Sequence, residues 1–222
     1  MRCTRQFEGR AWRQGYRLVA GVDEVGRGAL FGPVVAAAVI LDPQQTIRGL
    51  NDSKQLDPAR REKLAALIRE RALAVALGAV DAARIDQMNI YQATLLAMRQ
   101  AITALHPKPD FLLLDAVRLD LPLPQQSLIK GDCRSASIAA ASIIAKVERD
   151  AWMRQWDAVF PQYHLAGHKG YGTPDHLDAL EHHGPSPLHR RSFSLVAAAS
   201  RFPSDRPAEN LELFPSEVLV HD

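Results

Sequence analysis

Apolar and polar positions fall in blocks along the 222 residues, and each block predicts an element. Residues 18–22 form a continuous apolar run without polar positions at helical spacing, which predicts a short buried strand. Asp23 and Glu24 stand at or just beyond its end, and Gly26-Arg27-Gly28 follows as a turn. Residues 32–41 read as a second strand, antiparallel to the first, with alanines that allow close packing on it. Asp57 caps a helix that carries Pro58 in its first turn and Leu64, Leu67 and Ile68 on its apolar face. A strand is predicted over 73–80 and a helix over 89–105, with Ile90, Leu95, Met98 and Ile102 apolar and a stop at Pro107. Residues 110–115 are another apolar strand ending in a carboxylate, Asp115, and an extended piece over 126–130 leads into Gly131-Asp132. A long helix runs from 135 to about 160; its first half is Ala, Ser and Ile, suited to close packing, and its second half reads as more solvated. After a loop over 164–173, a helix over 174–183 closes at Gly184. This order predicts an α/β fold, a mixed central sheet flanked by helices with a helical segment toward the C-terminus.

The composition, 47% hydrophobic and 23% charged, is that of an ordinary globular domain. No apolar run approaches the ~20 residues that span a bilayer, and the first residues lack the apolar block of a secretory signal. Two cysteines, Cys3 and Cys133, make no disulfide framework, so a reducing, cytoplasmic setting is expected. Net charge is +2, unevenly spread: residues 203–222 hold five acids and one base, leaving 26 bases and 20 acids elsewhere. A basic body is compatible with a nucleic-acid partner. The expected organisation is one domain over 1–202 and an acidic, proline-containing tail over 203–222. Residues 1–17, with five arginines and one acid, read as a basic lead-in segment.

Four carboxylates share one kind of address: Asp23, Glu24, Asp115 and Asp132 lie where predicted strands end or a helix begins. Open α/β sheets place ligands at such a rim. A buried carboxylate is costly unless paired or metal-bound, and four together need protons or cations as counter-charge. Oxygen-only ligands select hard cations, Mg2+ or Mn2+. Two such ions about 3.5–4 Å apart stabilise the attacking and leaving oxygens of an in-line displacement at phosphorus. Phosphodiester hydrolysis fits best. By spacing alone, solvated or structural roles for Asp115 and Asp132 fit as well.

The motifs Asp23-Glu24-Val25-Gly26-Arg27-Gly28, Asp52-Ser53-Lys54, Lys130-Gly131-Asp132, Ala141-Ser142-Ile143-Ile144-Ala145-Lys146, His168-Lys169-Gly170-Tyr171-Gly172-Thr173 and His189-Arg190-Arg191-Ser192-Phe193 follow one another in order. Over about residues 16–200 the chain resembles bacterial ribonuclease HII. The resemblance implies a ribonuclease H-like fold and a divalent-metal endonuclease. Such an enzyme hydrolyses the RNA strand of RNA–DNA hybrids and nicks duplex DNA 5′ of single embedded ribonucleotides. The products are a 3′-hydroxyl and a 5′-phosphate, which implies a role in removing ribonucleotides from DNA. The family's metal-binding acids fall on Asp23, Glu24, Asp115 and Asp132. Its Gly-Arg-Gly motif falls on Gly26, Arg27 and Gly28, whose backbone would contact the ribose 2′-hydroxyl, and its junction-sensing tyrosine falls on Tyr171. The 2′-hydroxyl is what separates RNA from DNA, and glycines let backbone groups approach it closely.

Lys54 and Lys130 adjoin the acids and are expected phosphate contacts; Ser53 and Ser135 are candidates for the same role, with capping as the alternative. Trp152 and Trp156, i and i+4, read as core, whereas His164, His182 and His183 read as surface. Proline and alanine are common in the family where this chain has Ala29 and Phe31. Cys133 follows the fourth acid, where a small residue is usual; it reads as a small apolar residue, or as a thiol made acidic by the helix start. In the tail, Asn210, Leu211, Glu212, Leu213 and Phe214 resemble the pentapeptide by which bacterial repair proteins dock on the replication sliding clamp. The expected form is a monomer without a membrane. A non-catalytic hybrid-binding module, or another two-metal nuclease of the same fold, would use the same acids.

Overall fold

The computed structural model describes residues 3–199. The tail over 203–222, with the motif at Asn210–Phe214, lies outside the described residues. In chain order the elements are α1 (Gln6–Arg13), β1 (Val19–Val25), β2 (Val34–Leu41), α2 (Pro58–Arg71), β3 (Ala72–Val80), α3 (Ala82–Met88) and α4 (Ile90–Ala104). Then follow β4 (Phe111–Asp115), β5 (Gln125–Leu128), α5 (Ala136–Val159), the single turn α6 (Leu165–His168), α7 (Pro174–His183) and α8 (Ser194–Ala199). The described residues divide into two compact units: one holds 3–25, 34–79 and 94–149, the other 26–33, 80–93 and 150–199.

The first unit carries a five-stranded sheet in the order β3-β2-β1-β4-β5. β1 runs antiparallel to β2 and parallel to β4, which is parallel to β5, so the sheet is mixed. β2 is buried along its whole length. Its inward residues Ala37, Val39 and Leu41 share a core with Leu64, Ala65 and Ile68 of α2 and the small residues of α5. At Gly21 of β1, a Cβ would lie 2.1 Å from the Ser137 carbonyl carbon, so only glycine admits α5 this close. Gly78 of β3 serves α4 likewise: a Cβ would lie 2.1 Å from the Ala97 oxygen.

Four expectations are corrected. β1 continues through Val25, so Asp23 and Glu24 lie inside the strand, paired with Ala37 and Ala36; the chain turns only at Gly26, whose φ is +89°. The basic lead-in is a helix, α1, with Phe7 and Ala11 buried at i,i+4 spacing. Its one acid, Glu8, is buried and accepts the Ser135 hydroxyl at 2.6 Å, the Ser137 hydroxyl at 2.7 Å and the Ser137 amide at 2.8 Å. A carboxylate from one helix thereby satisfies the open amide at the start of another. α3 was not expected; Asp81 caps it by accepting the Arg84 amide at 2.7 Å. Finally, the second half of α5 is not solvated, since Arg149, Asp150, Trp152, Met153 and Trp156 are all buried.

The second unit explains much of that burial. Phe31 is fully buried and meets Trp156, Phe160 and His189 edge-on at 5.7, 6.0 and 4.9 Å. Gly32, at φ +75°, has its open side against Met153 and Trp156. Phe31 is thus the hub of an aromatic cluster.

Candidate active site

The carboxylates of the first unit are brought together by strand register. Val22 of β1 pairs with Leu114 of β4 in parallel, so Asp23 and Asp115 come next on adjacent strands. β4 pairs with β5 up to Asp115 and Leu128, and the chain then turns at Lys130, whose φ is +54°. That turn brings Gly131 back to donate its amide to Asp115 Oδ1 at 2.7 Å. A Cβ on Gly131 would lie 2.6 Å from Ile138 Cδ1 and 3.3 Å from Asp115 Oδ1, so a side chain here would have to displace one or both. Asp132 follows in a 3-10 turn, its Oδ1 accepting the Cys133 amide at 2.9 Å.

Electrostatics couple the four. Burial pushes the Asp23 carboxyl well up from its ordinary range, and the charges of Glu24 and Asp115 push it further. Bonds from the Ser142 hydroxyl and the Glu24 amide oppose this. Asp115 is raised by burial first, with Asp132 and Asp52 adding to the rise while the Gly131 amide and Lys54 oppose it. Asp23 is only 5% exposed, whereas Glu24, Asp115 and Asp132 are half-buried. Like charges thus crowd the raised carboxyls of Asp23 and Asp115, which are short of counter-charge. An all-oxygen set of this kind fits a hard divalent cation.

Asp52 joins the cluster and was not singled out from sequence. One ligand atom each from Asp52, Asp132 and Cys133 lie within 4.8 Å of one another. The signal was available, because Asp52 opens the polar Asp52-Ser53-Lys54 loop. Its Oδ1 accepts the Lys54 amide at 2.9 Å. Cys133 is not the acidic thiol of the alternative reading: burial first, then Asp132 and Asp52, push its pKa up.

Lys54 and Lys130 are exposed, and Lys54 is close enough to act on the Asp115 charge. The serines lie elsewhere. Ser135 is fully buried and its hydroxyl is given to Glu8, which corrects the expectation of a phosphate contact. Ser53 is buried as well, and its hydroxyl lies 3.0 Å from that of Ser142, which in turn bonds Asp23. Ser53 therefore sits behind the carboxylate cluster.

The second unit holds the remaining predicted residues. Gly26 is buried, Arg27 and Gly28 are exposed, and a Cβ on Gly28 would meet open space. Ala29 and Tyr171 form an antiparallel bridge, and Leu30 donates its amide to the Gly170 carbonyl at 2.7 Å. Arg190, fully buried, donates Nε to the Gly32 carbonyl and an η nitrogen to the Arg27 carbonyl, both at 2.9 Å. The Gly-Arg-Gly segment and Tyr171 are thus neighbours on one small framework. His168, His176 and His189 stand behind it, a group sequence reasoning passed over. His164, His182 and His183 are exposed, as expected.

Residues 20–196 match the family model described as Ribonuclease HII. The chain is 61% identical to Ribonuclease HII of Solibacter usitatus, covering 96% of this chain and 93% of that protein. It is similar in structure to the ribonuclease H2 of Pyrococcus horikoshii, with a TM-score of 0.73 and 27% identity, covering 83% of this chain and 98% of that one. It is also similar to RNase HII of Archaeoglobus fulgidus, solved as a complex with PCNA, with a TM-score of 0.67 and 28% identity, over 78% of this chain and 93% of that one. With a mixed sheet ending in coupled acids, the chain belongs to the ribonuclease HII family and is a metal-dependent ribonuclease H, a hydrolase with endonuclease activity.

Proposed function

We propose that this ribonuclease H hydrolyses the RNA strand of RNA–DNA hybrids and nicks duplex DNA 5′ of single embedded ribonucleotides. The products are a 3′-hydroxyl and a 5′-phosphate, and the biological outcome is removal of ribonucleotides from DNA. The observation that carries this reading is the coupling of Asp23 to Asp115 across the parallel β1–β4 register. Asp23, Glu24, Asp115 and Asp132 would hold two Mg2+ or Mn2+ ions, with Asp52 beside them. When bound, such ions neutralise the phosphate and assist both the entering and the leaving oxygen. The chain's own residues supply the rest. Ser142 and the Glu24 amide orient the Asp23 carboxylate, and the Gly131 amide orients that of Asp115. Lys54 and Lys130, exposed, draw in the phosphates of the strand.

Discrimination belongs to the other unit. Gly26, Arg27 and Gly28 present backbone groups to the ribose 2′-hydroxyl, which alone distinguishes RNA from DNA at a given position. The Tyr171 ring packs on the neighbouring deoxyribose, so the RNA-to-DNA step is read and base identity is not. The chain acts as a monomer. Residues Asn210, Leu211, Glu212, Leu213 and Phe214 dock on the sliding clamp and raise the enzyme's local concentration at newly made DNA. The complex of the archaeal relative with PCNA supports that partner class.

The test is incubation with Mg2+ and a duplex carrying one ribonucleotide. A nick 5′ of the ribose supports the reading. Cleavage of all-DNA would make the protein another two-metal nuclease, and binding without cleavage a hybrid-binding module.

A further inference from the structure

Behind the Tyr171 turn, the protonation of three histidines follows from the hydrogen bonds around them. His168 Nδ1 accepts the Gly170 amide at 3.1 Å, so its proton sits on Nε2, which donates to the Tyr163 carbonyl at 2.6 Å. His189 Nδ1 accepts the Ser186 amide at 2.9 Å, so its Nε2–H donates to His176 Nε2 at 3.0 Å. His176 then carries its proton on Nδ1 and donates it to the Tyr171 carbonyl at 3.0 Å. One tautomer assignment satisfies all five bonds, and every ring in it is neutral. It also occupies the lone pair of each ring, which leaves none for a metal ion.

The surroundings favour this neutral form. His176 and His189 are buried, and the His168 ring stacks on His176 with centroids 4.3 Å apart and planes 14° apart. Burial is the leading cause holding all three below the ordinary histidine range, His176 at about 4.

The relay ends beside a left-handed residue, Lys169 at φ +55°, a conformation that costs a non-glycine residue energy and persists where its surroundings fix it; Gly170 follows at φ +77°. His168 holds the Gly170 amide, and Leu30 holds the Gly170 carbonyl. His176 holds the carbonyl of Tyr171 itself.

We propose that His189 and His176 are positioning residues for Tyr171, a relay of neutral imidazoles running from Ser186 to the Tyr171 carbonyl that fixes the reading loop before substrate arrives. The proposal rests on the reading of Tyr171 as the residue that senses the ribose–deoxyribose step. A ring held in advance needs no reordering in the reactive complex. Loss of the relay therefore lowers turnover at a lone ribonucleotide while leaving duplex binding in place.

Two measurements test it. In the wild-type protein, long-range 15N–1H NMR of the imidazoles should show His176 protonated at Nδ1 and His168 and His189 at Nε2, all neutral at pH 7. Any other tautomer for His176, or a charged ring, overturns the relay. In kinetics on a duplex with one ribonucleotide, H176F should lose about 10- to 100-fold in kcat with KM unchanged. It should lose clearly less on a continuous hybrid. H176N, which keeps a donor at the Nδ1 position, should recover most of the loss. Equal losses on both substrates, a loss in KM alone, or no recovery in H176N would overturn the positioning role. Y171A run in parallel separates the two claims: if Y171A shows no selective loss, the reading of Tyr171 fails, and if it does while H176F does not, the relay fails.

Discussion

Asp23 and Asp115 stand one residue beyond Val22 and Leu114, which are partners in the parallel β1–β4 register. Burial raises both carboxyls, with the charges of Glu24 and Asp115 adding at Asp23 and those of Asp132 and Asp52 adding at Asp115. Asp23 is buried between the alanines of β2 and the leucines of β4, so its charge is poorly solvated. On the proposed function, bound cations would offset the like charges gathered here.

One consequence concerns stability without metal. D115N keeps an oxygen for the Gly131 amide while removing a charge, so the metal-free protein should gain on the order of 1 kcal/mol. Its Tm should rise by about 2–4 °C without divalent ions. In return the Tm gain from added Mg2+ should shrink. Thermal melts with chelator and with Mg2+ check both, and a lowered metal-free Tm would contradict the account.

The Glu8–Ser135–Ser137 cluster predicts a separation of stability from substrate binding. S135A removes one donor to a buried carboxylate and should cost about 1–3 kcal/mol. KM for hybrid should not change. Denaturant titration beside steady-state kinetics decides this. A raised KM at unchanged stability would return Ser135 to the phosphate contacts.

Gly21 admits no side chain. G21A sets a methyl against the backbone of Ser137 and Ile138, at 2.1 and 2.3 Å, and neither α5 nor β1 can move without unpacking the core. The expected loss is at least about 3 kcal/mol, measured by urea unfolding. A near-neutral effect would mean that α5 does not lie on β1 as described.

The buried histidines predict acid sensitivity. The His176 pKa falls from an ordinary 6.5 to about 4 on folding, chiefly by burial. The unfolded chain therefore binds more protons between those values, and stability is full above pH 6.5 and lost as pH falls toward 4. At pH 5 the loss from His176 should be about 1–2 kcal/mol, with His189 adding to it. Urea midpoints at pH 7 and pH 5 check the sign, and H176N should flatten the dependence. A midpoint that rises on acidification would contradict it.

Much of this fold was legible because its signals are local. The Asp57 cap with Pro58 marked α2, and apolar runs ending in carboxylates marked β1 and β4. The apolar runs that lead into Asp23 and Asp115 pointed to adjacent strands, although Asp23 and Glu24 lie inside β1 and Asp132 in a 3-10 turn, not at strand ends. What escaped depends on the third dimension. α1 was hidden because five arginines mask an apolar stripe only two residues wide, Phe7 and Ala11. The solvated half of α5 turned inward because Phe31 and Gly32 supply an aromatic cluster distant in sequence. Ser135 turned inward because Glu8, 127 residues away in the chain, accepts its hydroxyl hydrogen bond. Asp52 and the His189–His176 pair had no periodicity to mark them, since their partners come from separate segments of the chain.

The central claim is that acids from separate strands act as one hydrolytic centre, and D23N tests it most directly. With Mg2+ and a duplex carrying one ribonucleotide, the wild-type protein should nick 5′ of the ribose. D23N, folded as judged by circular dichroism, should be slower by at least about a hundredfold. A D23N protein that nicks the same duplex at the wild-type rate would contradict the account.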